Sequence, residues 1–340
     1  SRDMIQRLKQ QGRIMVESLL IETKNLTKSY GPHVALDDLN LSIPHGATGL
    51  LGPNGAGKST FLKTMLGLIQ VTSGEGSILG HDIRTEGEQI RSKIGYMPEY
   101  DALNPKMDAI YQVKYSGELL GMNPNIALSR AHQALEYVGL GEQRYRTVET
   151  FSTGMKQATK LACALVHDPD LIIADEPSNG LDAKAREFML QTLENTVRQG
   201  QKSVLMASHL MEDVERVCEN IVLLHKGKLA AQGKIEDLKA IDKEVEIHVW
   251  GHATKMEEGL LGEGMKVRRE GRVMRVRYQN ESTYHTILST AAKCGTQIRK
   301  MHDHEASLED LFLVIMERLG YDVKGSEALN LTHFIKCLSK

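Results

Sequence analysis

A glycine-rich segment that ends in a lysine and two hydroxyl residues has the clearest chemistry in this sequence. It matches the pattern G-x-x-x-x-G-K-[ST] and consists of Gly52, Pro53, Asn54, Gly55, Ala56, Gly57, Lys58, Ser59 and Thr60. Glycines let the backbone curl until successive N–H groups face one anion, and a helix that begins there adds partial positive charge. The segment therefore predicts a binding site for a triphosphate.

The side chains at the end of this segment suit the charges of a triphosphate. Lys58 would bring a mobile positive charge to the β- and γ-phosphates, and the Ser59 hydroxyl would ligate the bridging magnesium ion. Thr60 would assist by hydrogen bonding. The alternative is a chance glycine-rich turn, which is disfavoured because an apolar strand at residues 50–51 precedes the segment and a helical pattern follows at 59–69.

Two consecutive carboxylates, Asp175 and Glu176, follow an apolar strand at residues 171–174. Open α/β sheets bind ligands at the carboxyl ends of their strands. Asp175 would hold magnesium, and Glu176 would orient and deprotonate the attacking water. Such a pair is by itself more often a solvated helix cap, and only its combination with the phosphate-binding segment makes it a catalytic prediction.

His209 follows a second buried strand, predicted at residues 203–207. It would hydrogen-bond the γ-phosphate or the attacking water and so report whether the terminal phosphate is present. The alternative is a surface histidine, since the chain contains 13 histidines.

The elements that must position these residues form an α/β pattern. Strands predicted at 19–23 and 39–43 flank a turn signal at residues 30–32, a mostly helical insertion covers 101–149, and a strand-turn-strand covers 221–230. This first domain is predicted to cover residues 17–240, after an N-terminal extension at 1–16 that lacks the apolar core of a secretion signal.

A smaller α/β domain is predicted at residues 241–320, before a loosely packed tail at 321–340. Its strands at 245–250, 265–269, 272–278 and 297–302 alternate with helices at 254–261 and 282–293 in a ferredoxin-like order, and a last helix covers 307–319. A cluster at His302, Asp303, His304 and Glu305 could suggest a metal site, but adjacent residues point in different directions and a solvated turn is favoured.

Composition and charge exclude several classes of protein. The net charge of −2 provides no general basic field for non-specific nucleic-acid binding, which leaves only a local basic patch open. The four cysteines have no metal-ligand spacing, which fits reduced thiols. No apolar run approaches the ~20 residues that cross a bilayer. The length of 340 residues favours two domains.

From about residue 20 to residue 233, the order of motifs resembles the ATP-binding cassette (ABC) family. The resemblance implies a P-loop NTPase fold, with a RecA-like core, an antiparallel β subdomain and a helical subdomain. It also implies that Tyr30 stacks on adenine, although a tyrosine in a hairpin core would have the same spacing. The segment 178–182 resembles the D-loop, which would bring Asp182 to the nucleotide at a dimer interface.

The segment from Phe151 to Met155 resembles the family signature LSGGQ, ahead of a helix predicted at 156–166. The resemblance implies that Ser152, Thr153 and Gly154 bind the nucleotide held by an opposite protomer, either an identical chain or a paired cassette subunit. Thr153 and Met155 replace the usual glycine and glutamine, and Ala158 replaces a common arginine.

Glu99 stands where most members of the family carry a glutamine that contacts magnesium and the membrane subunit. A glutamate can also ligate magnesium through oxygen, but it adds negative charge beside two other acids. We therefore expect Glu99 to change metal affinity or timing without abolishing activity.

The resemblance implies an ATP-binding and ATP-hydrolysing transporter subunit at the cytoplasmic face of the membrane. The sequence is similar to the branch of the family that pairs with separate ABC-2 type export permeases. No nucleic-acid partner is expected. A nucleic-acid or ribosome-associated cassette is opposed by the single cassette and by the 93 residues from Ser59 to Ser152 (152 minus 59). A non-hydrolysing regulatory module is opposed by Glu176, although Glu99 and Thr153 leave it open. The second domain would support a dimer or regulate it.

Overall fold

The computed structural model describes residues 19–200, 202–240, 243–278, 280–304 and 307–318. They divide into two compact units, one ending at Gln232 and the other beginning at Gly233. The division precedes the predicted boundary at residue 240. The predicted extension at 1–16 and the tail at 321–340 lie outside the described residues.

The first unit alternates strands with helices along most of its length. In chain order its elements are β1 (Ile21–Tyr30), β2 (His33–Ile43), β3 (Ala47–Leu51), α1 (Lys58–Met65), β4 (Ser73–Ile78), β5 (His81–Asp82), α2 (Gly87–Lys93), β6 (Ile94–Met97), α3 (Ala109–Leu119), α4 (Pro124–Tyr137), α5 (Thr153–Leu165), β7 (Leu171–Asp175), α6 (Ala183–Gly200), β8 (Ser203–Ala207), α7 (Met211–Val217), β9 (Asn220–His225) and β10 (Lys228–Lys234), the last of which continues across the division.

A six-stranded sheet in the order β10-β9-β3-β8-β7-β6 forms the centre of this unit. Strand β3 pairs in parallel with both β8 and β9, and β7 pairs in parallel with both β6 and β8. Every residue of β3, β7 and β8 is buried, which explains their apolar runs, since a parallel sheet is covered on both faces. The strands predicted around residues 171–174 and 203–207 are confirmed.

An antiparallel sheet in the order β2-β1-β4-β5 stands beside the central sheet. Its first two strands form the predicted hairpin, with Tyr30 opposite His33 across the turn. One buried cluster joins this sheet to α1 and to the central sheet through residues such as Leu41, Phe61 and Leu205. The two sheets and α1 therefore share a single core.

Helices α3 and α4 lie in the helical insertion predicted at 101–149, and α5 is the helix predicted at 156–166, which begins three residues earlier. Helix α4 begins at Pro124, and the Asn123 side chain accepts the N–H of Asn125, so Asn123 is the cap of this helix. Helix α5 also packs on β6, where a side chain at Gly95 would place its Cβ 2.1 Å from the carbonyl oxygen of Ala164.

The second unit has its own antiparallel sheet and core. Its elements are α8 (Ile235–Ala240), β11 (Glu244–Trp250), α9 (Ala253–Gly262), β12 (Val267–Glu270), β13 (Val273–Arg277), α10 (Ser282–Cys294), β14 (Gln297–His304) and α11 (Leu308–Arg318). The sheet order is β12-β13-β11-β14. From β11 to β14 the elements follow the ferredoxin-like order given by the sequence pattern.

The cluster around residue 302 divides between different partners. Asp303 pairs with Lys243 at 2.6 Å, whereas His302 lies 3.8 Å from a carboxylate oxygen of Glu246. Glu305 lies outside the described residues. In the part of the chain that the structure describes, no helix is long and apolar enough to cross a membrane.

Candidate active site

The phosphate loop, the two carboxylates, His209 and Glu99 follow strands of the central sheet at one edge, because parallel strands end together there. In the register of the sheet, Met97 of β6 lies beside Ala174 of β7, and Asp175 of β7 lies beside Ala207 of β8. Ala207 also pairs with Leu50 of β3. One or two residues beyond the ends of these strands, the chain therefore reaches Glu99, Glu176, His209 and the glycine-rich loop.

The loop from Gly52 to Gly57 connects β3 to α1 and depends on its glycines. Gly52, Gly55 and Gly57 have φ angles of +152°, +80° and +105°. A Cβ at Gly52 would lie 2.4 Å from the carbonyl oxygen of Leu224, and one at Gly57 would lie 2.7 Å from that of Ala35. Only glycine combines these angles with such close packing.

The turn at Gly227, between β9 and β10, is hydrogen-bonded to this loop. The Gly227 N–H donates to the carbonyl oxygen of Ala56 at 3.0 Å, and the Asp37 N–H donates to that of Gly227 at 2.9 Å. Gly227 has φ +80°, and a Cβ there would lie 2.8 Å from the carbonyl oxygen of Ala35. The sequence indicated a turn at Gly227 but gave no sign of this contact.

Lys58, the first residue of α1, extends back along the loop. Its Nζ donates to the carbonyl oxygens of Gly52 at 2.5 Å and Pro53 at 3.4 Å. Burial lowers the pKa of the amine, while the charges of Glu176, Asp175 and Glu99 oppose that shift. Because the bonded partners are neutral carbonyls, the ammonium charge is available to an incoming phosphate.

Ser59 and Thr60 occupy the first turn of α1, where Ser59 is exposed and Thr60 is half-buried.

Two buried carboxylates end β7. Asp175 and Glu176 are only 6% and 8% exposed. Burial, reinforced by the charges of Glu99 and Glu176, raises the pKa of Asp175 to about 6. Glu176 has φ +51°, and its N–H donates to the carbonyl oxygen of Ala207 at 2.8 Å. A positive φ at a residue other than glycine is uncommon and is found preferentially at functional sites.

Glu176 and His209 form a hydrogen-bonded pair. His209 Nδ1 lies 2.7 Å from Oε2 of Glu176, and the His209 backbone N–H donates to the same oxygen at 3.4 Å. This hydrogen bond raises the pKa of His209. The sequence analysis predicted that His209 lies near the terminal phosphate. It did not predict the hydrogen bond between His209 and Glu176, the proposed base.

Glu99 follows β6 with an exposed side chain. Its charge acts on the pKa values of Asp175, Lys58 and His209, which places it in the same electrostatic environment. The oxygen donors of Ser59, Asp175 and Glu99 are of the type that magnesium prefers. Burial is the main cause of the raised pKa of Asp175 and the charges of Glu99 and Glu176 add to it, so a divalent cation would stabilise the carboxylate and these residues fit magnesium.

The described residues contain no group of three or more His, Cys, Asp or Glu side chains that could hold a metal.

The signature segment forms an exposed helix start. The Ser152 side chain accepts the Met155 N–H at 3.3 Å and caps α5, with Thr153 and Gly154 in its first turn. Ser152 and Thr153 are exposed. A capped, accessible helix N-terminus suits an anion. Among the described residues, no hydrogen bond joins these three to the phosphate loop or to the carboxylates.

Tyr30 and Asp182 have partial structural explanations. The Tyr30 side chain is 48% exposed, with Lys28 Nζ 4.8 Å from its ring centroid, so the alternative of a hairpin-core tyrosine is wrong. Asp182 Oδ1 accepts the Ala185 N–H at 2.8 Å at the start of α6. For both residues, nucleotide binding stays a prediction.

Two buried charges beside the site were not predicted. Lys160 on α5 donates to carbonyl oxygens in the loop that carries Glu99. Asp213 on α7 accepts hydrogen bonds from the Ser178 hydroxyl and, at 2.7 Å, from Arg186 Nε. Single charged residues within helical patterns gave no signal for these contacts, which depend on the packing of distant elements.

Comparison with known proteins gives consistent similarities. The sequence profile of the family described as ABC transporter matches residues 36–179. The chain is 36% identical over 227 residues to Nod factor export ATP-binding protein I of Cupriavidus metallidurans, covering 66% of this chain and 74% of that protein. It is 34% identical over 306 residues to the ABC transporter ATP-binding protein YhaQ of Bacillus subtilis, covering 88% of this chain and 99% of that protein.

Among solved structures, the chain resembles a dimeric ATP-binding cassette in a post-hydrolysis state bound to ADP and Pi. The TM-score is 0.58 and the sequence identity is 26%, covering 63% of this chain and 98% of that one.

Proposed function

The chain belongs to the ABC transporter family and is an ATPase, and from this premise we propose that it powers export through a separate membrane permease by dimerising around ATP. The observation that carries the proposal is the buried Glu176 carboxylate, hydrogen-bonded to His209 at the sheet edge that also holds Lys58.

Lys58 and the loop around it hold the phosphates in this proposal. The backbone N–H groups of the loop and the N-terminus of α1 favour an anion, and the Lys58 ammonium exchanges its carbonyl partners for the β- and γ-phosphates. Tyr30, exposed at the end of β1, offers its ring face to the adenine. These contacts bind ATP and orient its terminal phosphate.

Glu176 orients the attacking water and accepts its proton. His209 fixes the carboxylate by donating to Oε2, which leaves Oε1 for the water. When the His209 ring is protonated, a form that its raised pKa favours, Nε2 would donate a hydrogen bond to the γ-phosphate. Ser59 and Asp175 would hold magnesium, with Glu99 beside them, and the ion supplies charge that offsets the negative charge of the phosphates.

The exposed start of α5 completes the site of a second copy in this proposal. Ser152, Thr153 and Gly154 would contact the γ-phosphate held by the opposite protomer, with Asp182 at the same interface. Phosphate release removes the shared anion and loosens the dimer. The relatives named as export proteins support an exporter, and in this proposal the chain works at the cytoplasmic face beneath its permease.

A Glu176→Gln substitution tests the catalytic assignment. It keeps the shape of the side chain but removes the base, so we expect ATP turnover to fall by roughly 10²–10⁴-fold with nucleotide binding retained. Steady-state phosphate release and nucleotide titration measure the two effects. Glu187→Gln is the matched control, because Glu187 is an exposed partner of Arg216 outside the site. Wild-type turnover in the Glu176 variant would refute the assignment.

Coupling to export is tested with the membrane partner. The permease that co-purifies with the chain, reconstituted into vesicles, should export substrate with the wild-type chain and not with the Glu176→Gln variant. Equal transport with both would contradict the proposal.

A further inference from the structure

Lys160 is a buried cation outside the predicted machinery. It lies near the middle of α5 and is only 5% exposed. Its Nζ lies 2.7 Å, 3.1 Å and 3.3 Å from the carbonyl oxygens of Pro98, Glu99 and Tyr100. An ammonium has three donors, and here three successive carbonyls accept them. Lysine is rarely buried so fully unless its charge is compensated.

The segment that Lys160 holds is the one that carries Glu99. Residues 98–100 follow the last residue of β6, so regular strand pairing has ended before them. One turn earlier on α5, Lys156 Nζ forms an exposed ion pair with Asp101 Oδ2 at 3.2 Å. Two lysines on one face of the helix therefore contact residues 98–101, one through buried backbone carbonyls and one through an exposed side chain.

Helix α5 also carries Ser152 at its start, so one rigid element contacts both the signature segment and the Glu99 loop. The charge of the buried ammonium is offset by Asp101, Glu99 and Asp175. The location of the Glu99 backbone thus depends on α5 through Lys160.

We propose that Lys160 is a positioning residue that fixes residues 98–100 to helix α5 and thereby sets where the Glu99 carboxylate stands relative to the magnesium side of the nucleotide site. This inference rests on the proposed function for the role of Glu99. The attachment of residues 98–100 to α5 by Lys160, which we call the clamp, rests only on the three contacts of the Lys160 ammonium.

The clamp is tested by hydrogen exchange of the full chain without nucleotide or metal. Lys160→Met keeps a straight side chain of similar length but removes all three donors. We expect amide exchange in residues 99–102 to accelerate by on the order of tenfold or more, because a segment released from α5 opens more often and exposes its N–H groups to water. Exchange in β7 and α1 should stay within about twofold, which shows that the variant folds.

Lys156→Met is the matched control for the exchange measurement. It removes a lysine from the same helix face, but its exposed ion pair should contribute little. Lys160→Arg, which retains the charge and several donors, should restore part of the protection. Unchanged exchange at residues 99–102 in Lys160→Met would overturn the clamp, whatever the function of the site.

The link to Glu99 is tested by titrating magnesium at fixed ATP and measuring hydrolysis. Lys160→Met should raise the magnesium concentration for half-maximal activity by several-fold, and this shift should disappear in a Glu99→Gln background. A shift of equal size in both backgrounds would overturn positioning through Glu99. Faster exchange with identical magnesium titrations for wild type and Glu99→Gln would instead refute the magnesium role of Glu99 in the proposed function.

Discussion

Opposite charges with opposite pKa shifts share the sheet edge. Burial lowers the pKa of the Lys58 amine and raises that of the Asp175 carboxyl to about 6, so both charged forms are disfavoured by the surroundings. Each group gains when its charge is balanced. Magnesium with a triphosphate brings a cation to the carboxylates and an anion to the lysine. We therefore expect the site to bind magnesium and a triphosphate together more readily than either ion alone.

The Glu176–His209 hydrogen bond leads to a prediction for the pKa of His209. Glu176→Gln removes the carboxylate that raises the pKa of His209, so this histidine should titrate at lower pH in the variant. NMR titration of the imidazole signals measures the change. His167 is the internal control, because burial lowers its pKa at a different location and the substitution should not affect it.

The same pair makes a prediction for stability, and its sign follows from the direction of the shift. A histidine whose pKa is raised in the folded state adds stability below its unfolded value of about 6.5, and this contribution is lost as pH rises through the folded value. The loss of unfolding free energy caused by Glu176→Gln should therefore be larger at pH 6 than at pH 9 in urea titrations. A single His209 pKa shared by both proteins would contradict both expectations.

At the scale of elements, the strands and loops that could be predicted are those with a clear local sequence pattern. Strands β7 and β8 were evident as apolar runs, and the phosphate loop was evident from its glycines and the elements on either side. By contrast, β4 and β5 had no prediction, because Gly74, Gly76 and Gly80 interrupt the alternation of this segment. Strand β4 is stabilised instead by pairing with β1, and such tertiary pairing overrides a weak local pattern.

The contacts within the site depend on elements that are distant in sequence. His209 meets Glu176 because β7 and β8 are neighbours in register, with Asp175 opposite Ala207. Spacing along the chain contains no sign of this pairing. The same holds for Lys160, whose partners lie about sixty residues earlier in the sequence. Residue types could therefore be predicted, whereas their partners required the sheet order.

Two hairpin glycines give a matched test of how the phosphate loop is supported. Gly31 and Gly227 both have positive φ, at +58° and +80°, so alanine costs about 1 kcal/mol or more at either position. At Gly31 a Cβ meets nothing within 4 Å, whereas at Gly227 it lies 2.8 Å from the carbonyl oxygen of Ala35. Gly227→Ala should therefore destabilise the chain more and weaken ATP binding, because Gly227 also donates to Ala56.

Thermal melts with and without ATP measure both effects in the two glycine variants. Equal losses of stability, together with unchanged ATP affinity in Gly227→Ala, would show that the turn does not support the loop.

At the scale of the whole molecule, the two proposed halves of the nucleotide site are separate within one chain. The loop with Lys58 and the helix start with Ser152 both belong to the first unit, and no hydrogen bond connects them among the described residues. A two-fold symmetric pair would bring each half to the complementary half of the other copy, forming two equivalent sites. The second unit has a separate core, and dimer support and regulation both stay predictions for it.

Mixing two inactive variants tests whether the site is shared. Lys58→Met disables the phosphate loop, whereas Ser152→Asp retains a good helix cap but places negative charge where the opposite phosphate would bind. Each variant alone has the same defect in both sites of its dimer.

In a mixed dimer, one site has both defects and the other has none. With random pairing, single-turnover hydrolysis should recover to about a quarter of wild type. Ser152→Asp should unfold at the same temperature as wild type in a thermal melt, which shows that the variant folds. If the mixture hydrolyses no more ATP than the separate variants, the two halves do not meet across an interface, and Ser152 must act within its own chain or not at all.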